Sequence, residues 1–398
     1  MKILAVLPRF PYPLEKGDKL RAYHQLRLLA QNNEIYLFCT THSYPSQSDI
    51  HEVKQFCRDI HVVRLCRLGS CFRAVAYFVT GRSMQIGYWN ASKARRNFVS
   101  YLRSVAPDVI YCQMIRTLSW VQSAECPKVL DFQDALSLNT NRRADRCNPL
   151  LKPIFRLEAK RIHSVELSAL RQFDSLTIIS QPDKEALANG TPLSQNIHIV
   201  TNGIDTDHFS PLTSNVSTDI VFCGNMQYEP NVTASRFLVE KVMPIVWKEL
   251  PNAIVTLAGA NPSLLVRRLQ SDKVRVTGWV EDIRPCYASA RIFVAPMMSG
   301  SGMQNKLLEA MSMGVPCITT SIANKPLGAT IDNEILVGDT PEQLAKHIVT
   351  LLNDPSQRAR LVAAATDFVH SHYSWHTSVN QLQSILTHAV ENHNSPNL

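Results

Sequence analysis

The sequence lacks several features that would place the chain in a specialised class of protein. No stretch approaches the roughly 20 uninterrupted apolar residues that a membrane-spanning helix requires. The ten cysteines are scattered and include no Cys-x-x-Cys pair, although metal sites and disulfide frameworks show regular short spacing. The sequence contains no repeat and no low-complexity tract. These absences favour a globular protein with free thiols in a reducing compartment.

The apolar run over residues 1–7 has two interpretations, a short signal peptide or a buried strand. It stops at Pro8 and Arg9 without a small-residue cleavage site, which favours the strand. We therefore expect a cytoplasmic protein.

The length and the hydrophobic pattern predict two α/β domains. A chain of 398 residues with 45% hydrophobic and 19% charged residues is long enough for two cores of about 150–200 residues each. Short apolar runs alternate with longer amphipathic segments, which is typical of βαβ units and parallel sheets. The predicted strands cover residues 3–7, 34–39, 60–65, 109–112, 128–132, 175–179, 197–201, 219–223, 253–258, 274–278, 292–295, 316–319 and 334–337. The clearest predicted helices cover residues 19–31, 234–249, 303–313 and 341–353.

The strand pattern restarts after Asn-Gly-Ile-Asp at residues 202–205 and the polar segment that follows it. We therefore predict an N-terminal, acceptor-binding domain over residues 1–211 and a C-terminal, donor-binding domain over residues 212–375. A helix and tail over residues 376–398 complete the predicted chain.

Charge is distributed unevenly. Residues 1–190 contain 27 Lys and Arg against 16 Asp and Glu, a net charge of +11, whereas the remainder has a net charge of −3. No acidic residue lies between Asp59 and Asp108, where aromatic and basic residues alternate. The basic residues there are Arg64, Arg67, Arg73, Arg82, Lys93, Arg95, Arg96 and Arg103. Residues 64–103 therefore indicate an anionic partner, either a membrane leaflet or nucleic acid, or else an ordinary solvated face. No nucleic-acid-binding module is recognisable, so nucleic acid is not the expected partner.

The loop at residues 11–19 joins the first predicted strand to the first predicted helix. Ligands of open parallel sheets bind at the carboxyl ends of strands, and a helix N-terminus offers free N–H groups to an anion. Gly17 would let the backbone approach a phosphate closely, and Asp18 contributes to the site or caps the helix. We include both in the predicted donor site.

A second glycine-containing segment carries a stronger pattern. Gly300 and Gly302 follow a predicted strand and open a helix whose first turns carry Lys306 and Glu309. Residues three apart lie on one helical face, so both side chains can face one ligand. Lysine suits a diphosphate, and glutamate suits two ribose hydroxyls; a solvent-exposed ion pair is the alternative. The sequence Ala-Met-Ser-Met-Gly-Val-Pro after the glutamate is largely apolar, which favours the ligand site.

Residues 307–318, Leu-Leu-Glu-Ala-Met-Ser-Met-Gly-Val-Pro-Cys-Ile, closely resemble the donor-site helix of a large retaining glycosyltransferase family that includes sucrose synthases and mannosyltransferases. Residues 202–205, 222–226 and 276–280 resemble further segments of that family in the same order. Residues 13–24 resemble the subgroup found beside exosortase-type exopolysaccharide clusters. The resemblance implies a B-type fold, in which two Rossmann-like domains face each other across a cleft and the C-terminal helix packs back on the N-terminal domain.

The resemblance also implies a nucleotide-sugar donor, a UDP-sugar or a GDP-sugar. Glu309 would bind the ribose, Trp279 and Val280 would present backbone groups to the base, and residues 300–303 would lie against the sugar and phosphates. The remaining predicted donor-binding residues are Gly224, Asn225, Asn231, Gly300, Ser301, Gly302, Met303 and Lys306.

The sequence departs from the family pattern in two ways. Ser301 stands where many members carry a glutamate that contacts the donor sugar, so the identity of that sugar stays open. Asn225 and Asn231 stand in a loop where many members carry arginine and lysine, and Lys306 can supply the missing positive charge from the helix. Both departures motivate an alternative function, a catalytically inactive glycosyltransferase-like scaffold.

In retaining enzymes of this type the leaving diphosphate can assist deprotonation of the acceptor, so a protein base is not obligatory. We predict Lys306, Glu309 and Asp131 as catalytic residues. Asp131 follows a strand of the first domain and offers a carboxylate to the acceptor, or else stabilises a turn. No Asp-x-Asp-like motif follows a strand, so we expect neither a metal ion nor another cofactor.

These observations together predict transfer of a sugar, with retention, to a saccharide or a polyprenyl-linked acceptor in exopolysaccharide or cell-surface glycan synthesis. Residues 64–103 would dock the protein peripherally at the inner membrane face. A nucleotide-sugar epimerase is a further alternative, but it needs paired carboxylates, for which only Asp131 and Asp134 are available.

Overall fold

The computed structural model describes residues 1–14, 17–188, 195–299 and 303–394. The chain divides into two compact units, Met1–Gly203 with Ser378–Leu398, and Ile204–Thr377. The sequence-based boundaries at residues 211/212 and 375/376 lie within eight residues of these divisions. The segment from Ser378 onward belongs to the first unit, in agreement with a C-terminal helix that packs on the N-terminal domain.

The first unit is built on a parallel sheet with the strand order β3-β2-β1-β4-β5-β6-β7. Its strands are β1 (Lys2–Leu7), β2 (Glu34–Thr41), β3 (Asp59–Arg64), β4 (Val109–Gln113), β5 (Lys128–Asp131), β6 (Ser175–Ile178) and β7 (Ile197–Ile199). Its helices are α1 (Gly17–Leu29), α2 (Gln47–Lys54), α3 (Arg67–Val79), α4 (Met84–Trp89), α5 (Ser92–Val105), α6 (Leu118–Val121), α7 (Leu136–Arg146), α8 (Lys152–Ala169) and α9 (Gln181–Ala188). Strands β1 and β4 are buried along most of their length, because helices cover both faces of a parallel sheet.

The second unit repeats the plan with the strand order β10-β9-β8-β11-β12-β13. Its strands are β8 (Thr218–Cys223), β9 (Val255–Ala258), β10 (Val274–Gly278), β11 (Ala290–Ala295), β12 (Cys317–Thr319) and β13 (Leu336–Val337). Its helices are α10 (Glu229–Phe237), α11 (Met243–Glu249), α12 (Leu264–Arg267), α13 (Arg284–Ala288), α14 (Asn305–Ser312), α15 (Ser321–Leu327), α16 (Pro341–Asn353) and α17 (Pro355–Tyr373). Two parallel α/β sheets confirm the prediction of two Rossmann-like domains.

The last helix, α18 (Trp375–Asn394), begins in the second unit and continues into the first. Within the first unit, Ser378 Oγ donates to the carbonyl of Thr201 at 2.7 Å, and Asn33 Nδ2 donates to Gln383 Oε1 at 2.6 Å. Leu382 and Leu386 are fully buried. The helix is thus held to the first unit by polar bonds and by apolar burial.

Each sheet has one point at which the strand order reverses direction. In the first unit this point lies between β1 and β4, and in the second unit it lies between β8 and β11. Ligands of open parallel sheets bind outside the carboxyl ends of the strands at such points. The topology alone therefore places one candidate ligand site in each unit.

Helix α3 carries an unusual surface. Leu68, Phe72, Val75 and Val79 recur at helical spacing, and each is 60–78% exposed. Within the part of the chain that the structure describes, no helix has both the length and the apolar character needed to cross a bilayer.

Candidate functional site

The candidate site of the second unit is a pocket of about 600 Å³ at the carboxyl edge of the sheet. It lies where β8, β9, β10 and β11 end and where α14 begins, which is the topological switch point of this sheet. Its lining residues are Cys223, Gly224, Asn225, Tyr228, Pro230, Asn231, Gly259, Ala260, Trp279, Val280, Ile283, Tyr287, Met297, Ser299, Met303, Gln304, Asn305, Lys306 and Glu309. Eight of the residues predicted to bind the donor are among them: Gly224, Asn225, Asn231, Trp279, Val280, Met303, Lys306 and Glu309.

Two glycines let the ends of β8 and β9 approach each other at the pocket. Gly259 has a φ of +133°, and a Cβ atom there would lie 2.0 Å from the carbonyl oxygen of Gly224. A Cβ atom on Gly224 would lie 2.7 Å from Asn231 Nδ2. Any side chain at either position would push backbone or a buried amide out of place, so both positions require glycine.

Lys306 is a cation in a largely apolar setting. Its Nζ donates to Asn231 Oδ1 at 2.5 Å, lies 3.7 Å from Met297 Sδ and lies 4.9 Å from the centroid of the Phe222 ring. Among the described residues, no carboxylate forms an ion pair with it. Burial lowers the pKa of Lys306 from 10.5 to about 8, against smaller opposing effects of Cys223 and Glu309. An anion bound in the pocket would supply the missing counter-charge.

Glu309 lies on the same face of α14 and is held by a tyrosine. The hydroxyl of Tyr287 donates to Glu309 Oε2 at 2.7 Å, and the Tyr287 ring is fully buried against Phe293. Burial raises the pKa of Glu309, while the Tyr287 hydrogen bond and Lys306 act in the opposite direction. No donor among the described residues bonds to Oε1. The carboxylate is therefore positioned by one oxygen and open to a hydroxyl ligand through the other.

The loop between β8 and α10 closes one side of the pocket. Asn231 is buried, and its Nδ2 donates to the carbonyl of Asn225 at 3.0 Å. Its Oδ1 accepts the bond from Lys306. Asn225 Oδ1 accepts from the backbone N–H of Gln227 at 3.0 Å. The two asparagines thus shape the loop and orient Lys306.

Trp279 and Val280 follow β10 and also line the pocket. The Trp279 side chain is 72% exposed, which is unusual for so large an apolar group and leaves the indole available to a planar ligand. Met303 and Gln304 border the N-terminus of α14.

The other five predicted donor-site residues fall into two groups. Gly300, Ser301 and Gly302 lie outside the described residues. Gly17 and Asp18 belong to the first unit, where Gly17 begins α1 and Asp18 accepts a 2.6 Å bond from Arg9 Nη1. The Asp18 carboxylate is therefore engaged in an ion pair within its own unit.

The role predicted for Asp131 does not agree with its environment. Its carboxylate is fully buried, accepts 2.6 and 3.2 Å bonds from Arg21, and also accepts bonds from Tyr111, Thr177 and the N–H of Gln133. A buried charge with this many partners stabilises the fold, and removal of one partner typically costs about 3–5 kcal/mol. Asp131 is therefore corrected from a catalytic candidate to a structural residue of the first unit.

Sequence reasoning missed Tyr287, the residue that orients Glu309. The two residues are 22 positions apart, and α13 has no motif that indicates a ligand site. Residues 257–259 resemble the family pattern, but the sequence did not assign Gly259 to the donor site, although it directly follows β9 at the same sheet edge as Gly224.

No group of three or more His, Cys, Asp or Glu side chains within the described ranges has the geometry of a metal site.

Residues 217–354 match the family described as "Glycosyl transferases group 1". The matched segment contains all the lining residues of the pocket. This match within the second unit confirms the prediction of a glycosyltransferase enzyme.

Two relatives are similar in sequence. An "Uncharacterized 44.6 kDa protein in cps region" of Klebsiella pneumoniae is 22% identical over 391 residues, which cover 94% of this chain and 96% of the relative. A GDP-mannose-dependent monoacylated alpha-(1-6)-phosphatidylinositol monomannoside mannosyltransferase of Corynebacterium glutamicum is 26% identical over 240 residues, which cover 54% of this chain and 62% of the relative.

Solved structures share the fold at low sequence identity. HepE of Anabaena in complex with UDP has a TM-score of 0.68 at 14% identity, with 98% of this chain and 100% of the other covered. Sucrose-phosphate synthase of Thermosynechococcus elongatus has a TM-score of 0.65 at 14% identity, with coverage of 98% and 99%. These similarities support the predicted B-type glycosyltransferase fold.

Proposed function

We propose that the chain transfers a sugar, with retention, from a UDP-sugar or a GDP-sugar to a saccharide or lipid-linked acceptor. One observation carries the proposal. The pocket of the second unit holds the half-buried ammonium of Lys306, which no carboxylate of the described residues neutralises. Three residues further along the chain, the Glu309 carboxylate has one oxygen without a donor among the described residues. A nucleoside diphosphate satisfies both groups at once, because it has an anionic diphosphate beside a ribose with two hydroxyls.

We place the donor in the pocket in one orientation. The diphosphate would lie at Lys306 and at the N-terminus of α14, where free N–H groups and the helix dipole favour an anion. The ribose hydroxyls would donate to Glu309 Oε1, and the base would lie beside Trp279 and Val280. Hydrogen bonds from hydroxyls to an ionised carboxylate contribute about 1.5–3 kcal/mol each.

UDP and GDP are both candidate nucleotides. HepE of Anabaena is described in complexes with UDP and with UDP-glucose, whereas the mannosyltransferase of Corynebacterium glutamicum is described as GDP-mannose-dependent. Both bases present an edge that backbone groups at residues 279–280 can bind.

We further propose that Lys306 and the α14 N-terminus stabilise the departing diphosphate without a metal ion. Preorganised donors aimed at a developing negative charge make the largest electrostatic contribution in many enzymes. The leaving phosphate oxygen would accept the proton of the acceptor hydroxyl. The new bond would then form on the face that the phosphate leaves, so the donor's anomeric configuration would be retained.

Proton NMR of the reaction tests the transfer and its stereochemistry. The chain is incubated with UDP-glucose or GDP-mannose and a sugar acceptor, and the anomeric signal of the new glycosidic bond is recorded. We expect the product to have the anomeric configuration of the donor. We also expect the wild-type chain to release nucleotide and Lys306→Met to release none. An inverted product would contradict the retaining mechanism, and binding without turnover of any donor would favour the scaffold alternative.

A membrane-facing role for residues 64–103 is the second part of the proposal. The apolar stripe of α3, formed by Leu68, Phe72, Val75 and Val79, is exposed, and Arg64, Arg67 and Arg82 beside it are also exposed. An amphipathic helix with basic flanks binds anionic bilayers through apolar insertion and charge attraction. We propose that the enzyme acts in the cytoplasm at the inner membrane face. A role in exopolysaccharide synthesis is proposed from the sequence resemblance of residues 13–24.

Phe72→Ser should reduce co-sedimentation with vesicles of phosphatidylglycerol and phosphatidylethanolamine. Loss of one inserted phenylalanine costs about 1.5–3 kcal/mol of apolar transfer, so the partition coefficient should fall at least about tenfold at low salt. Leu264→Ser removes an equally exposed side chain from the second unit and should have no effect. Failure of the wild-type chain to bind these vesicles at low salt would rule out this part of the proposal.

A further inference from the structure

The first unit contains a second pocket, of about 460 Å³, which the donor site does not use. Arg9 follows β1 and Arg116 follows β4, so the pocket lies at the topological switch point of the first sheet. Arg143 from α7 completes a set of three arginines in its lining. Neither the family match at residues 217–354 nor the predicted donor residues include them.

The Arg116 guanidinium has few hydrogen-bond partners. Its Nε is buried without a hydrogen bond, and Nη1 has only a weak contact of 3.6 Å with Met114 Sδ. No described carboxylate lies within ion-pairing distance of it. Burial, followed by the nearby charge of Arg9, lowers the pKa of Arg116 to about 10. The turn that carries it is strained, since Met114 has a φ of +62°.

Aromatic rings support all three guanidinium groups. Arg9 and Arg116 lie 5.8 and 6.0 Å from the centroid of the Trp89 ring, and Arg143 lies 4.8 Å from that of Phe155. A guanidinium held against a ring keeps its N–H edge free for a planar, multidentate acceptor such as phosphate.

The nearby acidic groups do not neutralise this cluster fully. Glu158 accepts bonds from Ser83 Oγ at 2.7 Å and from two backbone N–H groups at the start of α4, so it is committed to capping that helix. Asp18 pairs with Arg9. Burial, and then the charge of Asp183, raise the pKa of Asp134 to about 6, which weakens its negative charge at slightly acidic pH. Arg116 and Arg143 are left as cations that face an open pocket.

We propose that this pocket binds a phosphate group of the acceptor substrate, with Arg116 as the main ligand and Arg9 and Arg143 as flanking ligands. The term acceptor rests on the proposed glycosyltransferase function, whereas phosphate binding itself does not. The phosphate belongs either to a lipid carrier or to a free sugar phosphate. Helices α3 and α8 both contribute to the pocket, through Ala74 and Phe155, and both have exposed apolar side chains nearby, which favours a lipid carrier.

Calorimetry in the Lys306→Met background tests this site with the donor pocket disabled. Three probes are titrated into the full chain: geranyl phosphate, glucose 1-phosphate and inorganic phosphate. The variant Arg116→Gln is compared with Arg103→Gln, which removes an exposed arginine of the same unit. Thermal unfolding of each variant shows whether the fold is intact.

We expect Arg116→Gln to weaken the best probe at least about tenfold, equal to about 1.4 kcal/mol, and Arg103→Gln to leave the affinity unchanged. Tighter binding of geranyl phosphate than of the other probes assigns the phosphate to a lipid carrier, and tighter binding of glucose 1-phosphate assigns it to a free sugar phosphate. Equal affinities of the two arginine variants, or no binding of any probe at millimolar concentration, would overturn the proposal. Because the donor pocket is disabled throughout, failure here leaves the donor assignment intact.

Discussion

Glu309→Gln should weaken the binding of the cognate nucleoside diphosphate about 100-fold, which corresponds to about 2.7 kcal/mol. Glutamine keeps the shape of the side chain and can still accept the Tyr287 hydrogen bond, but it loses the charge that strengthens two ribose hydrogen bonds. Tyr287→Phe should weaken nucleotide binding less, about tenfold, because the Glu309 carboxylate remains and loses only the hydrogen bond that orients it. Calorimetric titration of UDP and GDP measures both effects.

The control for this prediction is Glu249→Gln, an exposed glutamate at the end of α11 in the same unit. It should bind nucleotide like the wild type. The fold should tolerate Glu309→Gln, because the raised pKa of Glu309 means that burial opposes its ionised form at neutral pH. Unchanged nucleotide affinity in folded Glu309→Gln would exclude this residue from the ribose site.

Lys306→Met should abolish measurable nucleotide binding while it stabilises the free protein. The pKa of Lys306 is lowered from 10.5 to about 8 by burial, so the folded state disfavours the ammonium that the unfolded state accepts. This cost is fully present below pH 8 and is relieved as the pH rises toward 10.5. Each pH unit between the two pKa values corresponds to about 1.4 kcal/mol. The variant also leaves Asn231 Oδ1 without its donor, which offsets part of the gain. We therefore expect the free energy of unfolding at pH 7, measured with urea, to rise by about 1–2 kcal/mol.

Lys325→Met is the matched control, since Lys325 is exposed on α15 of the same unit. It should change neither stability nor affinity. The affinity of the wild type should fall as the pH rises above about 8, because the free protein must then take up a proton to bind the diphosphate. A Lys306→Met variant that is less stable than the wild type and still binds nucleotide would contradict the assigned role.

The sequence predicted the sheets well because buried parallel strands are short, continuous apolar runs. The 13 predicted strands correspond to β1–β13, with ends that differ by a few residues. Helices were predicted less completely. The predicted helix over residues 234–249 is in fact α10, a π-helical turn at Leu238–Val242, and α11. The apolar pattern does not indicate this break. Pro244 does not locate it either, since it stands in the first turn of α11, where a helix tolerates proline.

Local sequence also explains which part of the donor site was predictable. Lys306 and Glu309 share one helix face, so their spacing alone brings them together. The contacts that set their chemistry come from distant segments, Asn231 and Tyr287, which no local pattern joins to α14. The buried environment of Asp131 could not be predicted for the same reason, because its partner Arg21 lies 110 residues away on α1.

The most direct measurement is a calorimetric titration of the wild-type chain with UDP, GDP and ADP at pH 7. If the pocket of the second unit is the donor site, UDP or GDP binds at one site per chain, more tightly than ADP, and the heat disappears in Lys306→Met. If none of the three nucleotides binds, or if Lys306→Met binds like the wild type, the pocket is not a nucleotide site and the proposed transferase mechanism is wrong.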